Sequence, residues 1–229
     1  MSIKTTKCHF SGARWFPYKR CLRTGGTKER CLKRMADTAC TNSDYKVTKT
    51  LRLSLHHTET LLQTIPNLKV VHLFRDPRAV LHSHSNTKWS RTKENNVKSL
   101  QKGAQSVCDR IVKDVEYGKI LLQKYPKRFT IIQYEDFEQP LQTIKALYEF
   151  LGMTFDRTIL QYVDSSNGTE KSGNHPFQYR NSMTWENIQV INRYCTNAFD
   201  LLGYRTFTSE KELKDMSISA IIKLSFKIA

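Results

Sequence analysis

Residues 69–83 constrain the fold of this chain more than any other stretch, because they predict a strand that leads directly into a helix. Val70–Phe74 is a short, continuously apolar run, which is typical of a strand covered on both faces in a parallel sheet. Asp76 is a favourable N-cap and Pro77 a favourable first helical residue, since proline has no N–H group to leave unpaired. Arg75 is therefore predicted at the carboxyl end of a strand, where open α/β sheets bind their ligands.

Arg75 and Ser83 lie eight residues apart across this corner. Seven helical steps of about 100° bring Ser83 within roughly 20° of the direction of Asp76, so it faces the start of the helix. An arginine fork can hold a phosphate through two N–H groups, and the amides of the first helical turn are expected to add positive partial charge. The pattern predicts a clamp for the phosphate of a nucleotide. The alternative is that Arg75 caps a carbonyl or pairs with an acid, and that Ser83 is a surface hydroxyl.

Alternating strand and helix patterns predict an α/β fold, with a parallel sheet and flanking helices. Strands are expected at about 46–51, 70–74 and 129–133. An amphipathic helix is expected over about 96–124, with its apolar stripe in the core, and another from Trp185 to a C-cap at Gly203. The predicted divisions are a basic, cysteine-rich irregular segment over 1–44, a main domain over 45–205 and a tail over 206–229.

The formal net charge of +16 favours a polyanionic partner, such as a nucleotide, an acidic glycan or a nucleic acid, with a solvated basic surface as the alternative. No nucleic-acid-binding motif is present, so nucleic acid is not the expected partner. No apolar run of about 20 residues encodes a membrane segment.

Cysteine spacing bears on metal binding and on compartment. The chain has no C-x-x-C pair, so no metal site is expected. Clustered cysteines near the N-terminus predict disulfides formed in an oxidising compartment, with free buried thiols as the alternative and the connectivity open. Asn167-Gly-Thr169 is a glycosylation sequon. The clustered cysteines are Cys8, Cys21, Cys31 and Cys40.

The run Val-Val-His-Leu-Phe-Arg-Asp-Pro-Arg-Ala-Val-Leu-His-Ser over 70–83 resembles the 3′-phosphate-binding segment of the carbohydrate sulfotransferases. In that family the arginine before Asp-Pro and the serine eight residues later hold the 3′-phosphate of 3′-phosphoadenosine-5′-phosphosulfate (PAPS). The resemblance implies these roles for Arg75 and Ser83. Further similar segments follow the family's order along the chain: 47–53 around a lysine, Tyr-Glu-Asp-Phe at 134–137, 147–152, 179–185, and Cys195 with Gly203-Tyr204.

The resemblance implies a P-loop-NTPase-like sulfotransferase fold that transfers a sulfuryl group from PAPS to a hydroxyl of Gal, GlcNAc or GalNAc, without a metal. A glycan or proteoglycan acceptor and a location in the Golgi lumen are implied with it. By position, Lys49 would stabilise the leaving oxygen, Arg180 would add a second contact to the nucleotide, and Arg52 would contact donor or glycan. The general base stays open, with His56, His57 and Glu59 as candidates by residue type.

The family's Arg-Ser-Gly-Ser-Ser loop, whose backbone N–H groups cradle the 5′-phosphosulfate, has no counterpart that follows a strand pattern. Ser11–Trp15 is only a partial match, and Thr24–Lys28 follows an Arg/Cys-rich stretch. The fold is therefore expected to be incomplete at the N-terminus. The alternative function is that of a catalytically inactive, sulfotransferase-like fragment that binds nucleotide or acidic glycan.

Overall fold

The computed structural model of the chain describes residues 16–41, 43–51, 53–85, 96–167 and 176–223. The chain divides into two compact units, Met1–Leu53 and Ser54–Ala229. The first unit contains a helical hairpin of α1 (Phe16–Arg23) and α2 (Lys28–Thr41), closed by a Cys21–Cys31 disulfide. Gly26 lies in its turn, where a Cβ atom would overlap the sulfur of Cys31.

Two predictions for this unit are wrong. Residues 16–41 are largely helical rather than irregular. The strand predicted over 46–51 is absent from that stretch, where Val47 is 81% and Leu51 80% exposed. Alternating β-branched residues favour a strand only when a neighbouring strand and a covered face complete it. The disulfide prediction is confirmed for Cys21 and Cys31, while Cys8 and the Cys40 side chain lie outside what the structure describes.

The second unit contains the predicted parallel sheet. β1 (Val70–Phe74) pairs with β2 (Phe129–Gln133) in parallel, with Phe74 opposite Gln133. Both strands have the bounds that their apolar runs predict. Parallel strands require a crossover connection, and the described residues of this one form α4 (Pro77–Ser85) and α5 (Val97–Lys124).

Helices flank the sheet, and the core lies mainly between α5 and α9 (Trp185–Leu202). The predicted stripe on α5 is buried at its centre, whereas Val97 and Ile120 are 54% and 52% exposed. A disulfide between Cys108 and Cys195 joins the two helices. The other helices among the described residues of this unit are α3 (Leu55–Thr64), a 3₁₀ helix (Tyr134–Glu138), α6 (Pro140–Leu151), α7 (Arg157–Asn167), α8 (Tyr179–Ser182) and α10 (Glu210–Lys214).

The segment predicted as a separate tail packs into the core of the second unit. Phe207, Leu213 and Ala220 are each at most 1% exposed. Gly203 ends α9 with a φ of 75°, as the predicted C-cap requires, and a Cβ atom there would overlap the carbonyl oxygen of Lys223. The backbone oxygen of Gly203 accepts from the N–H of Ile222, so the returning chain lies directly against this glycine.

A buried ion pair holds the corner between β1 and α4. Asp76 and Arg78 are both fully buried, and their side chains meet in two short contacts, 2.9 Å from Nε to Oδ1 and 2.8 Å from Nη2 to Oδ2. Asp76 Oδ1 also accepts from the Arg78 backbone N–H at 2.9 Å, which caps the helix as predicted. Arg78 Nη1 donates to the Arg205 carbonyl at 2.8 Å, and the Tyr179 hydroxyl donates to Asp76 Oδ2 at 2.8 Å. These partners satisfy a pair that would otherwise be costly to bury.

A second carboxyl group, Glu135, supports the same corner from the end of β2. Its Oε1 accepts from the Asp76 backbone N–H at 3.1 Å, and its Oε2 accepts from the Tyr204 hydroxyl at 2.6 Å. Burial, and then the nearby charge of Asp76, raises the pKa of Glu135 to about 7. The corner thus contains an aspartate paired with Arg78 and a second carboxyl group, Glu135, that can remain protonated near neutral pH.

We expect the Cys108–Cys195 disulfide to contribute more to stability than Cys21–Cys31, because it closes a longer loop, with sequence separations of 87 against 10. Chain entropy gives about 4.5 and about 3 kcal/mol for loops of these lengths. Paired Cys→Ser variants, unfolded in urea without reductant, measure the two losses of free energy. A larger loss for the shorter loop would contradict the entropic explanation.

The Glu135 pKa predicts a pH dependence of stability. Because the folded-state pKa is raised from 4.5 to about 7, this contribution is fully present below pH 4.5 and is lost as the pH rises through 7. The free energy of unfolding should therefore fall by about 3 kcal/mol over this range relative to Glu135→Gln, whose amide stays neutral. Urea unfolding at several pH values measures the difference. Parallel pH profiles for the two proteins would show that folding does not raise the pKa of Glu135.

Candidate functional site

The carboxyl ends of the two strands lie side by side. Since Phe74 pairs with Gln133, the residues that follow, Arg75 and Tyr134, leave the sheet at the same level. Ligand sites of parallel sheets form at this edge. The arrangement brings Arg75 beside Tyr134, a pairing that the local sequence patterns do not predict.

The Arg75 guanidinium is held against an aromatic ring. Its central carbon lies 4.3 Å from the centroid of the Tyr134 ring, a cation–π contact. Its Nε atom is buried and has no hydrogen-bond partner among the described residues. Buried polar nitrogens nearly always form a hydrogen bond, so we expect a ligand to provide the acceptor for this N–H group. An anion bound at the corner would supply one.

The helix start itself offers less to an anion than predicted. Pro77 has no N–H group, the Asp76 N–H donates to Glu135, and the Arg78 N–H donates to the Asp76 carboxylate. The prediction that free amides of the first turn attract the phosphate is wrong for these positions. Attraction at this corner therefore depends on the Arg75 side chain.

Ser83 lies in α4 and is exposed. At about 1.5 Å per residue, it stands roughly 10 Å along the helix from Asp76. The strand, the corner and the helix that would bring Ser83 and Arg75 to one ligand are present as predicted. Their joint action on a phosphate stays a prediction.

Arg180 is buried and forms hydrogen bonds to backbone carbonyl oxygens. It is 2% exposed, and its guanidinium donates to the carbonyl oxygens of Leu213, Ile218 and Asp215 at 2.8, 2.9 and 2.6 Å. These bonds hold the segment around α10 against α8. The predicted contact between Arg180 and the nucleotide stays a prediction, and a direct contact would require exchange of these bonds.

Lys49 belongs to the first unit, where it is exposed within the irregular stretch 45–50. Its predicted role at the leaving oxygen stays a prediction. Arg52 lies outside the described residues, as does most of the glycosylation sequon.

The candidate bases lie on α3. Glu59 accepts from Tyr117 and from Lys124, the latter at 2.6 Å, and these bonds, from Lys124 first, lower the pKa of Glu59. A carboxylate with a lowered pKa is a weak base near neutral pH. His57 Nδ1 lies 2.7 Å from Ser54 Oγ, and the His56 ring lies 5.5 Å from that of Tyr117. Both histidines keep their candidate role.

Neither a metal-binding cluster nor a membrane-spanning helix is found among the described residues. No group of three or more His, Cys, Asp or Glu side chains there is arranged to hold a metal ion. No helix within the same part of the chain is long and apolar enough to cross a membrane.

Comparison with known proteins gives the family. The sequence profile of the sulfotransferase family matches residues 6–157. Carbohydrate sulfotransferase 1 of Danio rerio is 27% identical to the chain, over 84% of the chain and 52% of the relative. Carbohydrate sulfotransferase 5 of Mus musculus is 28% identical, over 82% of the chain and 55% of the relative. Carbohydrate sulfotransferase 6 of Homo sapiens is 27% identical, over 68% of the chain and 46% of the relative.

The chain thus spans about half the length of the curated relatives it matches. No solved structure matches it significantly. The matched region includes both strands and the corner with Arg75, Ser83 and Tyr134. On this evidence the chain belongs to the sulfotransferase family.

Proposed function

We propose that this chain binds the donor nucleotide PAPS through the corner after β1, and that it takes part in transfer of the sulfuryl group to a carbohydrate hydroxyl. The observation that carries the proposal is the buried Nε of Arg75, which lacks a hydrogen-bond acceptor among the described residues at the ligand-binding edge of a parallel sheet. Similarity to carbohydrate sulfotransferases supports the choice of donor and acceptor class. The P-loop-NTPase-like fold is part of this proposal.

Arg75 and Ser83 would together hold the 3′-phosphate. A guanidinium offers several N–H groups in one plane, which suits the oxygens of a phosphate, and the Ser83 hydroxyl would donate from α4. The planar fork of an arginine matches the geometry of a phosphate better than the point charge of a lysine does. The chemistry of these two groups therefore fits a phosphate, and the family resemblance supplies the choice of the 3′-phosphate.

Sulfuryl transfer, like phosphoryl transfer, requires positioning and stabilisation of charge more than covalent assistance. The donor supplies a sulfur atom that an acceptor hydroxyl attacks in line, while negative charge develops on the bridging oxygen of the departing nucleotide. Lys49 would stabilise that charge, and Arg180 would add a second positive contact to the nucleotide. The hydroxyl proton would pass to a base, for which His56 and His57 stay candidates by residue type, while the lowered pKa of Glu59 makes it the weaker base.

The acceptor would be a hydroxyl of Gal, GlcNAc or GalNAc in a glycan or proteoglycan, and the site of action would be the Golgi lumen. The disulfides Cys21–Cys31 and Cys108–Cys195 support an oxidising compartment.

Arg75→Ala should weaken binding of 3′-phosphoadenosine 5′-phosphate about 10- to 100-fold, because it removes charge-assisted hydrogen bonds to the 3′-phosphate. Affinity for adenosine 5′-phosphate, which lacks that group, should not change. Titration calorimetry with both nucleotides measures the effect, and Arg193→Ala, which removes an exposed arginine of α9, is the control. An equal loss for both nucleotides would contradict the assignment of Arg75 to the 3′-phosphate.

Lys49→Ala should reduce transfer of radiolabelled sulfate to an oligosaccharide carrying Gal and GlcNAc by about 100-fold, the typical cost of losing one group that stabilises developing charge. Binding of 3′-phosphoadenosine 5′-phosphate should change little. Lys46→Ala is the matched control, since Lys46 is an exposed lysine of the same irregular stretch. Equal losses for Lys46 and Lys49 would exclude a specific role. Nucleotide binding without any transfer by the unaltered chain would favour the inactive alternative.

A further inference from the structure

We infer that Tyr134 is a positioning residue, whose ring holds the Arg75 guanidinium in the orientation that binds the 3′-phosphate. The inference rests on the proposed function and adds a residue to it. Tyr134 leaves β2 at the level where Arg75 leaves β1, and the guanidinium carbon lies 4.3 Å from the centre of its ring. The two residues therefore meet across the edge of the sheet.

The backbone around Arg75 is already held in place. The preceding residue, Phe74, is in the parallel ladder, and the following N–H, that of Asp76, donates to Glu135 at 3.1 Å. The remaining freedom of Arg75 is in its long side chain. Ordering such a side chain costs conformational entropy on binding unless it is ordered beforehand. The contact with Tyr134 orders the side chain before the ligand arrives.

The Tyr134 ring contacts the flat face of the Arg75 guanidinium, whereas a phosphate binds the N–H groups at its edge. The five N–H donors of an arginine lie in the plane of the group, whereas an aromatic ring attracts its charge through a face. With its carbon over the Tyr134 ring, Arg75 keeps its N–H groups for an anion. The Nε atom, buried and without an acceptor among the described residues, agrees with this division.

The Tyr134 ring is supported in turn. Tyr134 begins the 3₁₀ helix Tyr134–Glu138, and the ring of Phe137 in that helix lies 6.3 Å from its own. The next residue, Glu135, is tied to the buried corner through Asp76 and Tyr204. The two residues after β2 thus have complementary roles, since Glu135 fixes the backbone of the corner and Tyr134 fixes the side chain.

The test compares two ligands across Tyr134 variants by titration calorimetry. Tyr134→Leu should weaken binding of 3′-phosphoadenosine 5′-phosphate about fivefold. The affinity for adenosine 5′-phosphate should stay unchanged, because only the 3′-phosphate contacts Arg75. Tyr134→Phe, which keeps the ring, should bind both ligands within about twofold of the unaltered chain. Tyr148→Leu is the matched control, since Tyr148 is a half-buried tyrosine that packs on Phe155.

A double-mutant cycle separates this inference from the proposed function. In an Arg75→Ala background, Tyr134→Leu should have no further effect on either ligand. If Tyr134→Leu unfolds the chain, Tyr134→Met keeps side-chain bulk without a ring face and serves the same comparison.

Three outcomes would overturn the inference. If Arg75→Ala does not distinguish the two ligands, the proposed function fails and the inference fails with it. If Arg75→Ala does distinguish them but Tyr134→Leu weakens both equally, Tyr134 contacts the adenosine and the inference alone fails. Unchanged affinities in Tyr134→Leu would also overturn the inference alone.

Discussion

The buried ion pair between Asp76 and Arg78 is the interaction on which the rest of this structure depends. It joins three parts of the second unit: the corner after β1, α8 through Tyr179, and the returning C-terminal chain through the Arg205 carbonyl. Removing one partner of such a pair typically costs about 3–5 kcal/mol, because the other charge stays buried without compensation. The position of Arg75 is thus determined by residues that are themselves hidden from any ligand.

The two carboxyl groups of the corner have different electrostatic roles. Asp76 pairs with the Arg78 guanidinium at 2.8 Å. Glu135 forms no salt bridge within the described part of the chain, and burial beside Asp76 raises its pKa to about 7. Two neighbouring carboxylates would repel each other strongly in this buried environment of low polarity. Protonation of Glu135 near neutral pH relieves that repulsion and keeps the acceptor that holds the Asp76 N–H.

Local sequence patterns predicted the parts of the fold that depend on local physics. β1, β2 and α5 have their expected bounds, because apolar runs and helical periodicity act over a few residues. The strand expected at 46–51 failed because a strand also needs a partner. The bonds that occupy Arg180 come from residues 32 to 38 positions away, and the contact between Arg75 and Tyr134 depends on strand register. Such long-range pairings are not visible in local composition.

The close approach at Gly203 has a consequence far from its own position. Lys223 lies directly against this glycine, and the next residue, Tyr204, donates to Glu135, which in turn holds the backbone of Asp76. A side chain at residue 203 would displace the returning chain, and the disturbance would pass along this path to the strand exit. A substitution of this glycine therefore disturbs the corner after β1 from outside it, through Tyr204 and Glu135.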